Sequence, residues 1–119
     1  VIGKLFSGIK KINGIIYTGA VYDKHLLSEY YNLADITIML SKRECFPMVI
    51  VESLLCNTPV VAFKCQGPDN AYEDPNVTFV DYGNIDEFVS KILFTKKDRK
   101  TTKLSIDLMA KQYLEKYIS

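Results

Sequence analysis

Charge of one sign, long apolar runs, paired cysteines and metal-binding spacings are all scarce in this chain. Fifteen Lys and Arg stand against fourteen Asp and Glu, a formal net charge of +1. No strong field then favours nucleic acid or an anionic membrane, and nucleic acid is not an expected partner. No apolar run approaches the roughly 20 residues that cross a bilayer, and the opening VIGKLFSGIKK lacks the long apolar core of a signal peptide. A cytoplasmic location is the default expectation. The three cysteines, Cys45, Cys56 and Cys65, are odd in number and match no zinc or redox spacing. They are expected to be packing thiols in a reducing compartment. His25 stands alone at a helix start and is expected to face solvent. No internal repeat or low-complexity segment occurs. A starting methionine is also lacking: Val1 opens what reads as the end of a strand, so the chain reads as a fragment or a processed product.

What is present is an ordinary globular balance, 48% hydrophobic and 24% charged over 119 residues, enough for one domain spanning 1–119. Val1 to Gly3 reads as a strand end and Lys4 to Ile12 as a short helix with Leu5, Phe6, Ile9 and Ile12 on one face. Ile15 to Thr18 reads as a short buried strand closed by Gly19. Asp23 is a candidate N-cap for a helix over Lys24 to Leu33, with Leu26, Leu27, Tyr30 and Leu33 or Ala34 as its apolar face. Ile36 to Leu40 is a buried strand, followed by a charged loop and a helix over Pro47 to Cys56 that Asn57 can close in the left-handed conformation. Val60 to Phe63 and Thr78 to Val80 are further strands, with a turn-rich loop over Lys64 to Asn76 between them. Helices over Ile85 to Phe94 and Asp98 to Tyr117 end the chain. Strands that are apolar throughout and alternate with helices predict an α/β fold, a Rossmann-like doubly wound parallel sheet.

In such sheets ligands gather beyond the carboxyl ends of the strands. Gly19 to Asp23, Ser41 to Phe46 and Lys64 to Asn76 are the loops that qualify. The helix near Pro47 should point its first turn into that crevice, where free N–H groups carry about half an elementary positive charge. Phosphate is the expected occupant, held by the amides of Met48, Val49 and, less directly, Ile50. Glu44 precedes this helix and Glu52 lies inside it. Both offer acceptors that sugar hydroxyls need. Lys42 and Arg43 read more simply as surface charges, and Gly67, Pro68 and Asp69 read either as the pocket's far wall or as a plain turn.

The run ECFPMVIVE followed by SLLCNTPVVA resembles the Glu-x7-Glu signature of retaining GT-B glycosyltransferases, the glycosyl transferases group 1 family. IIYTGAV, YYNLADITIMLS and FKCQGPDNA extend the similarity over nearly the whole chain. The resemblance implies the C-terminal, donor-binding half of a GT-B fold, here lacking its first strand. It implies a nucleotide-diphosphate-sugar donor, a UDP- or GDP-sugar, used for retaining transfer of a hexose to a polysaccharide or glycolipid acceptor. Glu52 would accept from the ribose hydroxyls. Glu44, with Phe46, Pro47 and Met48, would hold the transferred sugar, and Met48 and Val49 the diphosphate. Gly19, Ala20 and Val21 would lie beside the base. No catalytic residue is assigned. No metal or other cofactor is expected, which agrees with the lack of any Asp-x-Asp. The family's active site lies between two domains, so an N-terminal acceptor-binding domain is an implied partner, and the full-length protein could associate peripherally with a membrane. The missing first strand would stand between VIG and ITIML, leaving those two without a shared neighbour, and this part alone would be inactive. The alternative from another class is a non-catalytic α/β binding or interaction domain; an unrelated flavodoxin-like module would leave the paired glutamates idle.

Overall fold

The computed structural model describes residues 1–2, 8, 10–42, 48–64 and 74–95. Along the chain these form α1 (Lys24–Leu33), β1 (Thr37–Met39), α2 (Met48–Leu55), β2 (Val60–Phe63), β3 (Val77–Val80) and α3 (Ile85–Phe94). The strands pair in parallel in the order β1-β2-β3, with Thr37 opposite Val60 and Val60 opposite Val77. Parallel neighbours need a crossover, and α2 lies within the one between β1 and β2.

The central strand explains the layering. All four residues of β2 are buried, and successive side chains leave a strand on opposite faces. Val60 and Ala62 join Met39, Ile50 and Leu54 on the α2 side. Val61 and Phe63 join Val80 and Phe88 on the α3 side, with the Phe63 and Phe88 rings 4.4 Å apart. Each face of the sheet thus has its own helix and its own core, the doubly wound α/β arrangement expected from the apolar strands.

Local chemistry fixes the helix ends. Asp23 caps α1, its Oδ1 accepting from the amides of His25 (2.8 Å) and Leu26 (3.3 Å). Asn84 caps α3 by accepting from the Glu87 amide, while the Glu87 carboxylate accepts from Asn84 Nδ2 at 3.0 Å. The cap is thus reciprocal through the Asn84 side chain, while the Asn84 backbone amide donates to the Asp81 carbonyl at 3.1 Å. At the end of α2, Asn57 adopts φ 55°. The Asn57 amide then reaches the Leu54 carbonyl and the Thr58 amide the Ser53 carbonyl, both at 2.9 Å, a Schellman closure.

The amino-terminal region departs from expectation. Residues 10–12 are not helical, because Asn13 and Gly14 make a tight turn closed by a 3.2 Å bond from the Ile15 amide to the Ile12 carbonyl. Gly14, at φ 83°, supplies the positive dihedral this turn needs. The rest of the expected Lys4–Ile12 helix, Ser7 to Ile9 largely included, lies outside the described residues save Gly8, as does the expected Asp98–Tyr117 helix. Ile15 to Thr18 is not a buried strand: Ile15 is 41% and Ile16 80% exposed. Its one ladder contact is a parallel bridge between Ile2 and Gly19, supported by the Thr18 amide on the Val1 carbonyl at 3.0 Å. Among the described residues no strand joins this pair to β1, whose Ile38 is itself 45% exposed. Apolar strands remain exposed where a neighbouring strand is lacking, which accounts for the difference.

The expected face of α1 is met in part, with Leu27, Tyr30 and Ala34 partly buried. Tyr31 is the buried residue, whereas Leu26 and Leu33 are exposed. The cause is α2, which packs beside α1 and offers the Tyr31 hydroxyl a carboxylate partner. Among the described residues no helix is long and apolar enough to cross a membrane.

Candidate functional site

The site is built on α2. It follows β1, so its first turn stands at the carboxyl end of the sheet, where α/β folds receive ligands. Ile50, Val51 and Leu54 bury one face of this helix, while Met48 and Val49 at its opening remain exposed. α1 and α3 start on capping side chains, and α3 carries Asp86 and Glu87 in its first turn. The first turn of α2 has no acidic residue. Its positive end is thus not neutralised from within that turn.

Glu52 sits four residues beyond Met48, on the same flank of α2 and about 6 Å along the axis. Helical side chains lean toward the N-terminus, the direction of the opening turn. Glu52 is partly buried, and its Oε2 accepts a 2.9 Å hydrogen bond from the Tyr31 hydroxyl. Its second carboxylate oxygen has no donor among the described residues. Burial first, then the hydrogen bond to Glu52 and its nearby charge, push the Tyr31 phenol well above the ordinary tyrosine value. Tyr31 is consequently a permanent neutral donor at any physiological pH.

A buried hydroxyl network keeps these two residues in register. Thr58 Oγ1 donates to the Tyr31 carbonyl, and Ser53 Oγ lies 2.8 Å from both Thr37 Oγ1 and the Thr58 carbonyl. Ser53 and Thr58 are fully buried, so these bonds are made out of reach of water. The end of α1, the start of β1 and the end of α2 are thereby tied at one point.

Glu44, Phe46 and Pro47 lie outside the described residues, as do Arg43, Cys45, Cys65, Gly67, Pro68 and Asp69. Lys42 places its ammonium 5.5 Å from the centre of the Tyr82 ring, a cation–π contact at the sheet's carboxyl edge. Tyr82 in turn meets Phe63 edge-on at 5.2 Å. Nearby, Lys64 pairs with Asp81 at 2.9 Å, both well exposed. These cations are placed as surface charges with partners. Gly19 takes φ 75°, with open space where a side chain would begin, so the dihedral and not crowding demands glycine. Ala20 is exposed and Val21 partly buried. This turn belongs to the Ile2–Gly19 pair, and among the described residues no strand pairing links it to the sheet that carries α2. His25 is exposed, as expected, and Cys56 is a partly buried thiol. Among the described residues no cluster of His, Cys, Asp and Glu could hold a metal ion.

Sequence reasoning missed Tyr31. The pair Tyr30–Tyr31 offers two adjacent phenols, and only the packing of α1 on α2 decides which finds Glu52, 21 positions away.

A parallel sheet covered on both faces, with an unneutralised helix opening beside a fixed carboxylate at its carboxyl edge, defines a Rossmann-like α/β domain of the GT-B kind. Residues 5–109 match the family described as Glycosyl transferases group 1, and the chain belongs to that family. It is 30% identical over 118 residues to sulfoquinovosyl transferase SQD2 of Arabidopsis thaliana, covering 96% of this chain and 22% of that protein. It is 45% identical over 49 residues to the D-inositol 3-phosphate glycosyltransferase of Thermomonospora curvata, covering 41% of this chain and 11% of that one. The Thermobifida fusca protein of the same name is 44% identical over 48 residues, 40% of this chain and 11% of its own length. The chain thus spans between about a tenth and a quarter of the length of these relatives. No solved structure matches it.

Proposed function

We propose that this chain is the donor-binding part of a retaining glycosyltransferase and that it holds a UDP- or GDP-sugar at the opening of α2. The observation that carries this reading is the pairing of a helix opening at the exposed residues Met48 and Val49 with Glu52, whose carboxylate is anchored on one oxygen by Tyr31 and offers the other. The amides of Met48 and Val49 receive the diphosphate, whose charge the helix end favours. Glu52 accepts from the ribose hydroxyls, and Glu44, eight positions earlier in sequence, accepts from the transferred hexose. Phe46 and Pro47 line the same sugar, and the Gly19–Val21 turn flanks the base.

Transfer then breaks the bond from the anomeric carbon to the diphosphate oxygen and forms one to the acceptor oxygen on the same face of the sugar, the acceptor hydroxyl's proton passing to the departing diphosphate. Negative charge grows on the departing diphosphate, and preorganised amide dipoles stabilise that growth. The acceptor-binding half, and the strand between the Ile2–Gly19 pair and β1, come from the remainder of the protein, since the relatives are several times longer than this chain. The acceptor is a polysaccharide or glycolipid hydroxyl.

Titration calorimetry of the full-length protein with UDP and GDP tests the ribose role. Glu52→Ala removes an acceptor from partly buried hydroxyls and should weaken binding of the preferred nucleotide by about 1 to 3 kcal/mol. Unchanged affinity in that variant defeats the reading.

A further inference from the structure

We propose that Tyr31 is a positioning residue for nucleotide recognition: it holds Glu52 in the one orientation that presents a carboxylate oxygen to the ribose. The inference rests on the reading that Glu52 binds the ribose. A glutamate has three rotatable bonds, and one on an exposed helix flank samples many rotamers that must be frozen when ligand binds. Here the freezing is done beforehand. The Tyr31 hydroxyl takes Oε2 at 2.9 Å, which fixes the carboxylate plane and leaves Oε1 to accept.

The donor is well suited to this task. Its ring is 8% exposed, so it is held by packing, and its backbone carbonyl is held by the fully buried Thr58 hydroxyl. A buried phenol with no partner would be costly, so the hydroxyl and the carboxylate hold each other. With its one hydrogen committed to Glu52, the phenol has none to offer the ligand. An accepting ligand group would be repelled by the remaining carboxylate oxygen, whereas a hydroxyl is welcomed. The arrangement therefore reads for ligand hydroxyls and against ligand oxygens without hydrogen. A bond serving only to fasten α1 to α2 would not affect which sugar the nucleotide carries, and that difference can be measured.

The experiment uses the full-length protein and four probes, UDP, 2′-deoxy-UDP, GDP and 2′-deoxy-GDP, titrated by calorimetry, with thermal unfolding followed for each variant. Wild type is expected to prefer the ribo form of its nucleotide over the deoxy form, and Glu52→Gln to lose most of that preference. Tyr31→Phe, which keeps the packed ring, should lower the ribo-to-deoxy ratio about five- to tenfold, and adding Tyr31→Phe to Glu52→Gln should change nothing more. Thr58→Val cuts the tie to the Tyr31 backbone while leaving the phenol, so it should lower the unfolding temperature and keep the ratio. If Glu52→Gln loses the preference but Tyr31→Phe retains it, the positioning role is wrong and the ribose role stands. If Glu52→Gln and wild type discriminate equally, both fall together. If Thr58→Val shifts the ratio as much as Tyr31→Phe does, the effect is general loosening and the positioning role is again refuted.

Discussion

Putting a carboxylate at the opening of α2 should move stability and binding in opposite directions. Met48 begins the helix, is about half exposed, and follows no acidic neighbour within that first turn. Met48→Asp adds a negative charge where the dipole welcomes one, a gain of about 0.3 to 1 kcal/mol for the unliganded protein. The same charge would face a diphosphate at about 6 Å. With an effective dielectric of about 20, repulsion there is about 3 kcal/mol per charge pair, reduced to about 1.5 by salt with a Debye length of about 8 Å. Affinity for UDP or GDP should therefore fall about tenfold while the unfolding temperature holds or rises. Met48→Asn, of matching size and no charge, separates the electrostatic effect from loss of the thioether. Calorimetry at low and high salt, beside thermal unfolding, gives both quantities. A variant that is more stable and binds the nucleotide as well as wild type would show that the anion does not sit on these amides.

Other consequences follow from the buried contacts. Ser53→Ala removes the hydroxyl placed between Thr37 and the Thr58 carbonyl, leaving polar atoms without their partner at a fully buried position. A loss of about 1 to 3 kcal/mol in denaturant unfolding is expected, and a change under about 0.5 kcal/mol would mean the network contributes little. The raised Tyr31 phenol gives a pH signature. Its stabilising share is intact below the unfolded tyrosine value of about 10 and is lost as pH climbs beyond it, because the unfolded chain releases a proton that the folded chain keeps. Denaturant midpoints of wild type should thus fall more steeply than those of Tyr31→Phe above pH about 10, and parallel curves would contradict the shift.

Legibility in the sequence followed the range of the interaction responsible. Asp23, Asn57 and the Ile85–Phe94 helix were readable because caps, positive φ and helical periodicity act over a few residues. The all-apolar VVAF was readable as a central parallel strand because only burial on both faces suits it. The side of α1 that is buried was readable only in part, since Leu26 and Leu33 satisfy the same periodicity as Tyr31, and the choice is made by Glu52 across a helix interface. Ile15 to Thr18 carries a strand's composition, yet composition reports fitness for burial and not whether a neighbour is there to bury it. Of the candidate site, the helix opening and Glu52 were legible from spacing on one helix. The phenol that fixes Glu52 comes from a different element, and no local pattern announces it.

On the proposed reading, these parts would divide recognition between two kinds of contact with different powers of discrimination. Helix amides respond to charge, so the opening of α2 would accept any diphosphate and cannot by itself favour one nucleotide or one sugar. A fixed acceptor does discriminate, because a ligand lacking the matching hydroxyl leaves the carboxylate desolvated and unpaired, and that penalty exceeds the worth of the bond in water. Rigidity decides how large the penalty is: a carboxylate free to swing back into solvent escapes it. The Tyr31 hydroxyl removes that escape for one oxygen of Glu52. Selectivity for ribose should therefore depend on Tyr31, a residue that never touches the nucleotide, while affinity for the diphosphate should be nearly indifferent to it.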